Sequence, residues 1–334
     1  MSNRMIVTGA LAALLLMLGS VARASDAPPP AYAAKAEVTC MKCHDTSPVT
    51  DILTTPHALK ADARTPFGEH GCESCHGPSP EHIKSAAHVS EGEKPAPVSI
   101  SFTGPDAAPV AVRNETCLSC HQGSARINWE LGKHANNDIS CTSCHTMHVH
   151  KDPVLAKITQ PLKCFTCHTQ QRAESFQYSH HPIREGKVSC SDCHAMHGSP
   201  SAEPGLLKEF TLNETCYNCH ADKRGPYLFE HQPVRENCDS CHTPHGSQQA
   251  RLLTDRMPFS CISCHAEDAG GTHGITNTTR TSSTSFFGGA QSLGTAKFTT
   301  GTAGPNVIFQ ARSCLNCHSN IHGSNSPNGF FFFR

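Results

Sequence analysis

Hydrophobic positions gather into one long run near the start of this chain and are thinly spread elsewhere. Ile6 to Leu18 form the run, with Arg4 before it and the small-residue site Ala22-Arg23-Ala24 behind it. That order is the pattern of a secretory signal, so residues 1–24 are expected to be cleaved and residues 25–334 exported. An uncleaved anchor is the competing reading, but the run is short for a membrane span. No later segment has the length or apolarity of a span. Glycine and proline are plentiful, at 24 and 23 residues. The expected elements are therefore short helices, long irregular connections and little or no sheet. Residues 270–311 are rich in Gly, Ser and Thr, and Phe330 to Phe333 form an apolar tail of open role.

Cysteine changes this picture. All 20 cysteines fall into ten copies of Cys-x-x-Cys-His. The copies are Cys40 and Cys43 with His44, Cys72 and Cys75 with His76, Cys117 and Cys120 with His121, and Cys141 and Cys144 with His145. They continue as Cys164 and Cys167 with His168, Cys190 and Cys193 with His194, and Cys216 and Cys219 with His220. The last three are Cys238 and Cys241 with His242, Cys261 and Cys264 with His265, and Cys314 and Cys317 with His318. Each copy is an attachment site for c-type haem. Two thiols add to the porphyrin vinyl groups, and the adjacent histidine reaches the iron from the same side. Residues three and four apart share a helical face, so all three groups meet one macrocycle edge. Half-zinc sites and redox disulfides also use Cys-x-x-Cys. Neither requires a histidine directly after the second cysteine, and every copy has one.

Ten haems on this chain leave roughly 30 residues for each macrocycle, little polypeptide for so much apolar surface. Aromatic residues are only 6 %, and Trp129 is the sole tryptophan. The haems must replace much of the usual side-chain core. The formal charge is −1 for the whole sequence. Nothing resembles the basic face of a nucleic-acid binder.

Of 24 histidines, ten lie in the motifs. Beyond the leader only Met41, Met147, Met196 and Met257 could offer sulfur, so methionine ligation cannot be general. The other histidines follow a two-haem pattern. It reads Cys40…His57…Cys72…His82, Cys117…His134…Cys141…His148, Cys164…His181…Cys190…His197, Cys216…His231…Cys238…His245 and Cys261…His273…Cys314…His322. His57, His134 and His181 each follow their first cysteine by 17 residues; His231 and His273 follow by 15 and 12. These units span about 40–88, 114–150, 161–198, 213–246 and 258–323 of one domain, residues 25–334. Such repeats predict an elongated array in which each unit mainly touches its neighbours. Asn114-Glu115-Thr116 and Asn213-Glu214-Thr215 precede their motifs, where Asn and Thr suit a helix N-cap.

His148 lies three residues after His145, on the same side of that haem. It cannot reach the opposite face of the same iron and is expected to ligate a neighbouring haem; His197 and His245 fall under the same argument. His70, His88, His150 and His180 stand outside the pattern and are read as exposed or hydrogen-bonded histidines.

The chain resembles the MtrA/DmsE family of periplasmic decahaem cytochromes over nearly all of residues 25–334. The most specific stretches are Cys141 to Val149 followed by Lys151-Asp152-Pro153-Val154-Leu155, Cys190 to Gly198, Asn213 to Pro226, and Arg312 to Gly323. The resemblance implies a multihaem fold and an electron wire of ten covalently bound haem c groups. It implies a periplasmic chain threaded into an outer-membrane β-barrel, passing electrons between periplasmic or inner-membrane cytochromes and the cell exterior, for extracellular metal reduction or Fe(II) oxidation. An extracellular multihaem cytochrome is a further partner it allows. By the same resemblance the ten distal ligands are His57, His82, His134, His148, His181, His197, His231, His245, His273 and His322. A soluble periplasmic shuttle feeding a reductase is the alternative. A multihaem nitrite or hydroxylamine reductase is a third reading, disfavoured because the spare histidines force no vacant iron position.

Overall fold

The structure, a computed structural model, describes residues 31–90, 92–199, 205–265, 313–327 and 329–332. The signal segment, the 270–311 stretch and His273 lie outside the described residues. The chain divides into two compact units, Met1–Asp45 with Pro56–Ala107 and Thr46–Thr55 with Ala108–Arg334.

Short helical turns and irregular connections make up both units. The nine-residue helix Val110–Leu118 is the longest among the described residues, and β structure there is limited to isolated bridges. The motifs themselves nucleate the turns. In nine of them the histidine N–H donates to the carbonyl of the first cysteine at 2.9–3.1 Å, and the tenth lies in the helix Phe259–His265. One turn therefore brings both thiols and the imidazole to a common side.

The apolar core is sparse, as the composition implies. Among the described residues, the buried apolar side chains are Ala36, Phe67, Trp129, Phe165, Ile183 and Leu207. Large side chains such as Ile127, Leu131, Tyr178 and Leu228 stay exposed on the polypeptide alone.

Two buried asparagines do a different job from the N-capping that their positions suggest. Asn114 and Asn213 sit inside the helices Val110–Leu118 and Leu212–Tyr217, and the N-cap of the second is Thr211. Each asparagine instead accepts the backbone N–H of the first cysteine of the next motif, Cys141 or Cys238, at 2.8 Å. Their amide groups also donate to the Ile139 carbonyl in one case and to the Val234 and Arg235 carbonyls in the other. A side chain on the first motif helix thus closes the open start of the second. Gln160 plays the same part for Ser191 N–H, at 2.9 Å.

Within the second compact unit, backbone bridges recur at equivalent places. Ser179, two residues before His181, exchanges both hydrogen bonds with Ser247, two residues after His245. Phe229 and Ser324 flank His231 and His322 in the same way. The residue after the later histidine is glycine each time. A Cβ on Gly198 would overlap the Asn128 carbonyl, and one on Gly246 the Glu174 carbonyl. Only glycine lets these two strands of chain approach so closely.

Replacing Gly246 with alanine is expected to destabilise the haem-loaded protein by about 1–3 kcal/mol, since backbone must move. Gly123→Ala, where an added Cβ meets nothing within 4 Å, should stay within about 0.5 kcal/mol. Denaturant unfolding of the two variants measures the difference; equal stabilities would refute the close-approach argument.

Candidate haem-ligand site

Seven motif histidines face a histidine from the spare set across a nearly constant gap. The ring centroids are 6.2 Å apart for His44–His82, His134–His168, His181–His220 and His231–His265. They are 6.0 Å apart for His145–His197 and His194–His245, and 6.3 Å for His242–His322. Two imidazoles bonded to one metal at about 2 Å per bond separate their ring centroids by about 6 Å. The spacing therefore fits a haem iron between each pair. In five pairs the ring planes lie within 20° of parallel, while His181–His220 and His134–His168 are inclined by 54° and 80°.

Partner choice follows a rule that spacing in the sequence did not disclose. Histidines lying between two motifs of one repeat face forward, to the first motif of the next: His134 to His168, His181 to His220, His231 to His265. Histidines just after a second motif face backward, to the second motif of the repeat before: His197 to His145, His245 to His194, His322 to His242. His82 differs from the other histidines of its kind, because it faces His44 of its own repeat.

Hydrogen bonds fix these rings. Nδ1–H of His82, His134 and His181 donates to the carbonyls of Ala96, Met196 and Pro244 at 2.7, 3.1 and 2.6 Å. His76, His194, His242 and His318 donate to Ile100, Gly205, Arg251 and Phe331 carbonyls at 2.5–3.1 Å. His148 donates to the Val49 carbonyl at 3.1 Å. Anchoring Nδ1 in this way leaves the Nε2 lone pair for a metal. Burial, first of all, pushes His197, His231, His245 and His322 below the usual imidazole range, with nearby cations or the facing histidine adding to it. They are held neutral, the form that binds metal.

The thiols run in sequence order. Hydrogen bonds join Cys40 to Cys72, Cys117 to Cys141, Cys164 to Cys190, Cys216 to Cys238 and Cys261 to Cys314, the first cysteines of the two motifs in each repeat. As free thiols, before haem is attached, Cys40, Cys164 and Cys216 are pushed well up by those contacts, and Cys117 lowers Cys141 to about 7. Between repeats, Cys144 feels Cys164, Cys193 feels Cys216, and Cys241 feels Cys264. From Cys117 to Cys314 neighbouring attachment points follow one another without a gap.

Three of the four histidines set aside have other partners. His70 lies against Tyr32 with centroids 3.8 Å apart, and His150 meets Thr54 and Asp51. His180 donates to the Gln177 carbonyl at 2.8 Å, and His88 is exposed. His57 is half-buried in the turn Pro56–Ala58. Sequence reasoning missed the anchors themselves, because backbone carbonyls carry no residue signature. It also left the tail open: Phe331 holds His318 through its carbonyl, and the Phe332 ring lies 5.5 Å from that of His231.

Known proteins bear on this geometry. A family described as doubled CXXCH motif matches residues 180–225 and 231–270, and one described as cytochrome c-type protein NrfB-like matches 72–163. The chain is 40 % identical over 299 residues to multiheme cytochrome MtrA of Shewanella baltica (strain OS185), covering 89 % of this chain and 81 % of that one. The chain belongs to the MtrA family of multihaem cytochromes. It is also 24 % identical over 269 residues to the high-molecular-weight cytochrome c of Nitratidesulfovibrio vulgaris Hildenborough, across 68 % of this chain and 44 % of that longer one. As an MtrA-family member it is an electron-transferring c-type cytochrome that carries haem covalently on its Cys-x-x-Cys-His motifs.

Asn213 should be worth about 1–2 kcal/mol through the Cys238 N–H it caps. Asn213→Asp keeps the acceptor but turns a buried carboxylate oxygen toward the Val234 and Arg235 carbonyls, so it is expected to lose at least as much as Asn213→Ala. Thermal unfolding of both variants checks the order, and an alanine variant as stable as the parent would contradict it.

Proposed function

We propose that this MtrA-family chain is a transmembrane electron conduit built on ten bis-histidine haem c sites. The observation that carries the reading is the set of seven histidine pairs with one spacing, six of which join neighbouring repeats. His82, His134, His181, His197, His231, His245 and His322 are the sixth ligands for the haems of His44, His168, His220, His145, His265, His194 and His242. His57, His148 and His273 complete the set of ten distal ligands.

Each bound haem supplies one-electron iron redox chemistry. The residues of the chain would hold it: two cysteine sulfurs through thioether bonds, and two neutral imidazoles as ligands to the iron. Two histidines for each iron would leave no position for substrate, which supports an electron carrier over an enzyme. The first cysteines of the two motifs in each repeat are neighbours, which would set consecutive haems close together and favour transfer along the sequence order.

No helix among the described residues is long and apolar enough to cross a membrane. A conduit made of such a chain needs a sheath to satisfy its polar backbone within lipid, and a closed β-barrel supplies one. The chain is accordingly assigned to the periplasm, inserted in an outer-membrane barrel. It exchanges electrons there with periplasmic or inner-membrane cytochromes on one side and an extracellular acceptor, donor or multihaem cytochrome on the other.

His245→Ala should create one high-spin haem, the one on Cys190 and Cys193. Removing that haem with Cys190→Ala and Cys193→Ala should abolish the high-spin signal, whereas removing the haem on Cys238 and Cys241 should leave it. The reverse result would overturn the pairing. Liposomes holding the barrel and this chain should pass electrons between an internal dye and external Fe(III) or Fe(II). Exchange no faster than with the barrel alone would exclude the conduit and leave the soluble shuttle.

A further inference from the structure

The five histidines of the second motifs offer an internal comparison. Four of them, His76, His194, His242 and His318, donate Nδ1–H to a backbone carbonyl. His145 alone donates to a carboxylate, Asp152 Oδ2, at 2.7 Å. The cause is local. After His194 and His242 the chain loops back, so the carbonyls of Gly205 and Arg251 reach the ring. After His145 the return is shorter, and a side chain closes the gap.

Asp152 is built into this place. Its side chain is only 9 % exposed. Oδ1 accepts the backbone N–H groups of Thr146 and Val154, both at 3.3 Å, and the second of these caps the turn Pro153–Leu155. A second carboxylate, Glu174, stands by His245, but it is farther at 3.3 Å and its side chain is 24 % exposed.

A carboxylate that takes an imidazole Nδ1–H in hydrogen bond makes the imidazole a stronger donor to its metal. A stronger donor and a nearby negative charge both favour ferric over ferrous iron. We propose that Asp152 is a potential-setting residue that holds the haem of Cys141, Cys144 and His145 at the reducing end of the ten. The proposal rests on the pairing of His145 with His197 given above. It makes the conduit uneven by design of the chain, with a low step at that haem.

Asp152→Asn removes the charge at nearly unchanged shape, its single acceptor oxygen serving either His145 Nδ1–H or the Thr146 and Val154 N–H groups. Spectropotentiometry of the full haem-loaded chain should show about one-tenth of the absorbance change moving positive. The shift should reach at least tenfold in the reduced-to-oxidised ratio at a fixed potential, which is 59 mV for one electron. All haems should remain low-spin, and Asp152→Glu should restore the low component. A titration of Asp152→Asn that superimposes on the parent would overturn the proposal.

His197→Met provides a second reading that does not depend on the folding of Asp152→Asn. Methionine ligation raises the potential, so the component lost from the reducing end should be this haem. If a component from the oxidising end moves instead, the pairing stands and the role of Asp152 falls. If no haem changes, the pairing itself is wrong and the proposal falls with it.

Discussion

The gap of about 6 Å between paired imidazoles is the constraint on which the rest of this protein depends. Each pair is assembled from two places in the sequence, and most pairs join one repeat to the next. His134 reaches forward to His168 while His197 reaches back to His145, so consecutive repeats are clasped in both directions. A metal centre bonded to both sides of such a clasp links folding to haem binding. Under the proposed ligation, that link would let a chain with six buried apolar side chains among its described residues hold a defined fold.

Secondary structure here serves the clasp. Turns at the motifs are one helical turn long because three groups on one side are all that attachment demands. Asn114 and Asn213 tie the paired motif helices together through buried amide hydrogen bonds, and glycines at 198 and 246 let the returning chain pass close to its neighbour. The Ser179–Ser247 and Phe229–Ser324 bridges then brace the backbone beside the crossing histidines. None of these contacts buries much apolar surface. They fix direction, which is what an imidazole aimed at a metal requires.

Family membership and geometry support one another without being the same claim. The likeness to multiheme cytochrome MtrA covers most of the chain and shows electron transfer on covalent haem. The geometry adds a reading of which histidines meet, and of an order along the chain in which thiols of successive motifs are neighbours. The uneven anchoring of the axial rings, carbonyl in most places and carboxylate at Asp152, makes otherwise similar sites differ electronically.

The sequence by itself determined the attachment points, the short helical elements and the thin core. These depend on groups within five residues of one another, or on composition, and both are legible without a fold. His148, His197 and His245 could be argued away from their own haems for the same reason, since a three-residue step cannot reach round a macrocycle. Tertiary structure alone decided which histidine faces which. Forward and backward crossings look alike in the spacing, and His82, which shares the position of His197 in its repeat, faces its own repeat instead. It also decided that Asn213 caps Cys238 rather than its own helix, and that Asp152 rather than a carbonyl anchors His145. Those outcomes depend on where the chain returns in space, and a hydrogen bond made over such a return leaves no periodic trace in the order of residues.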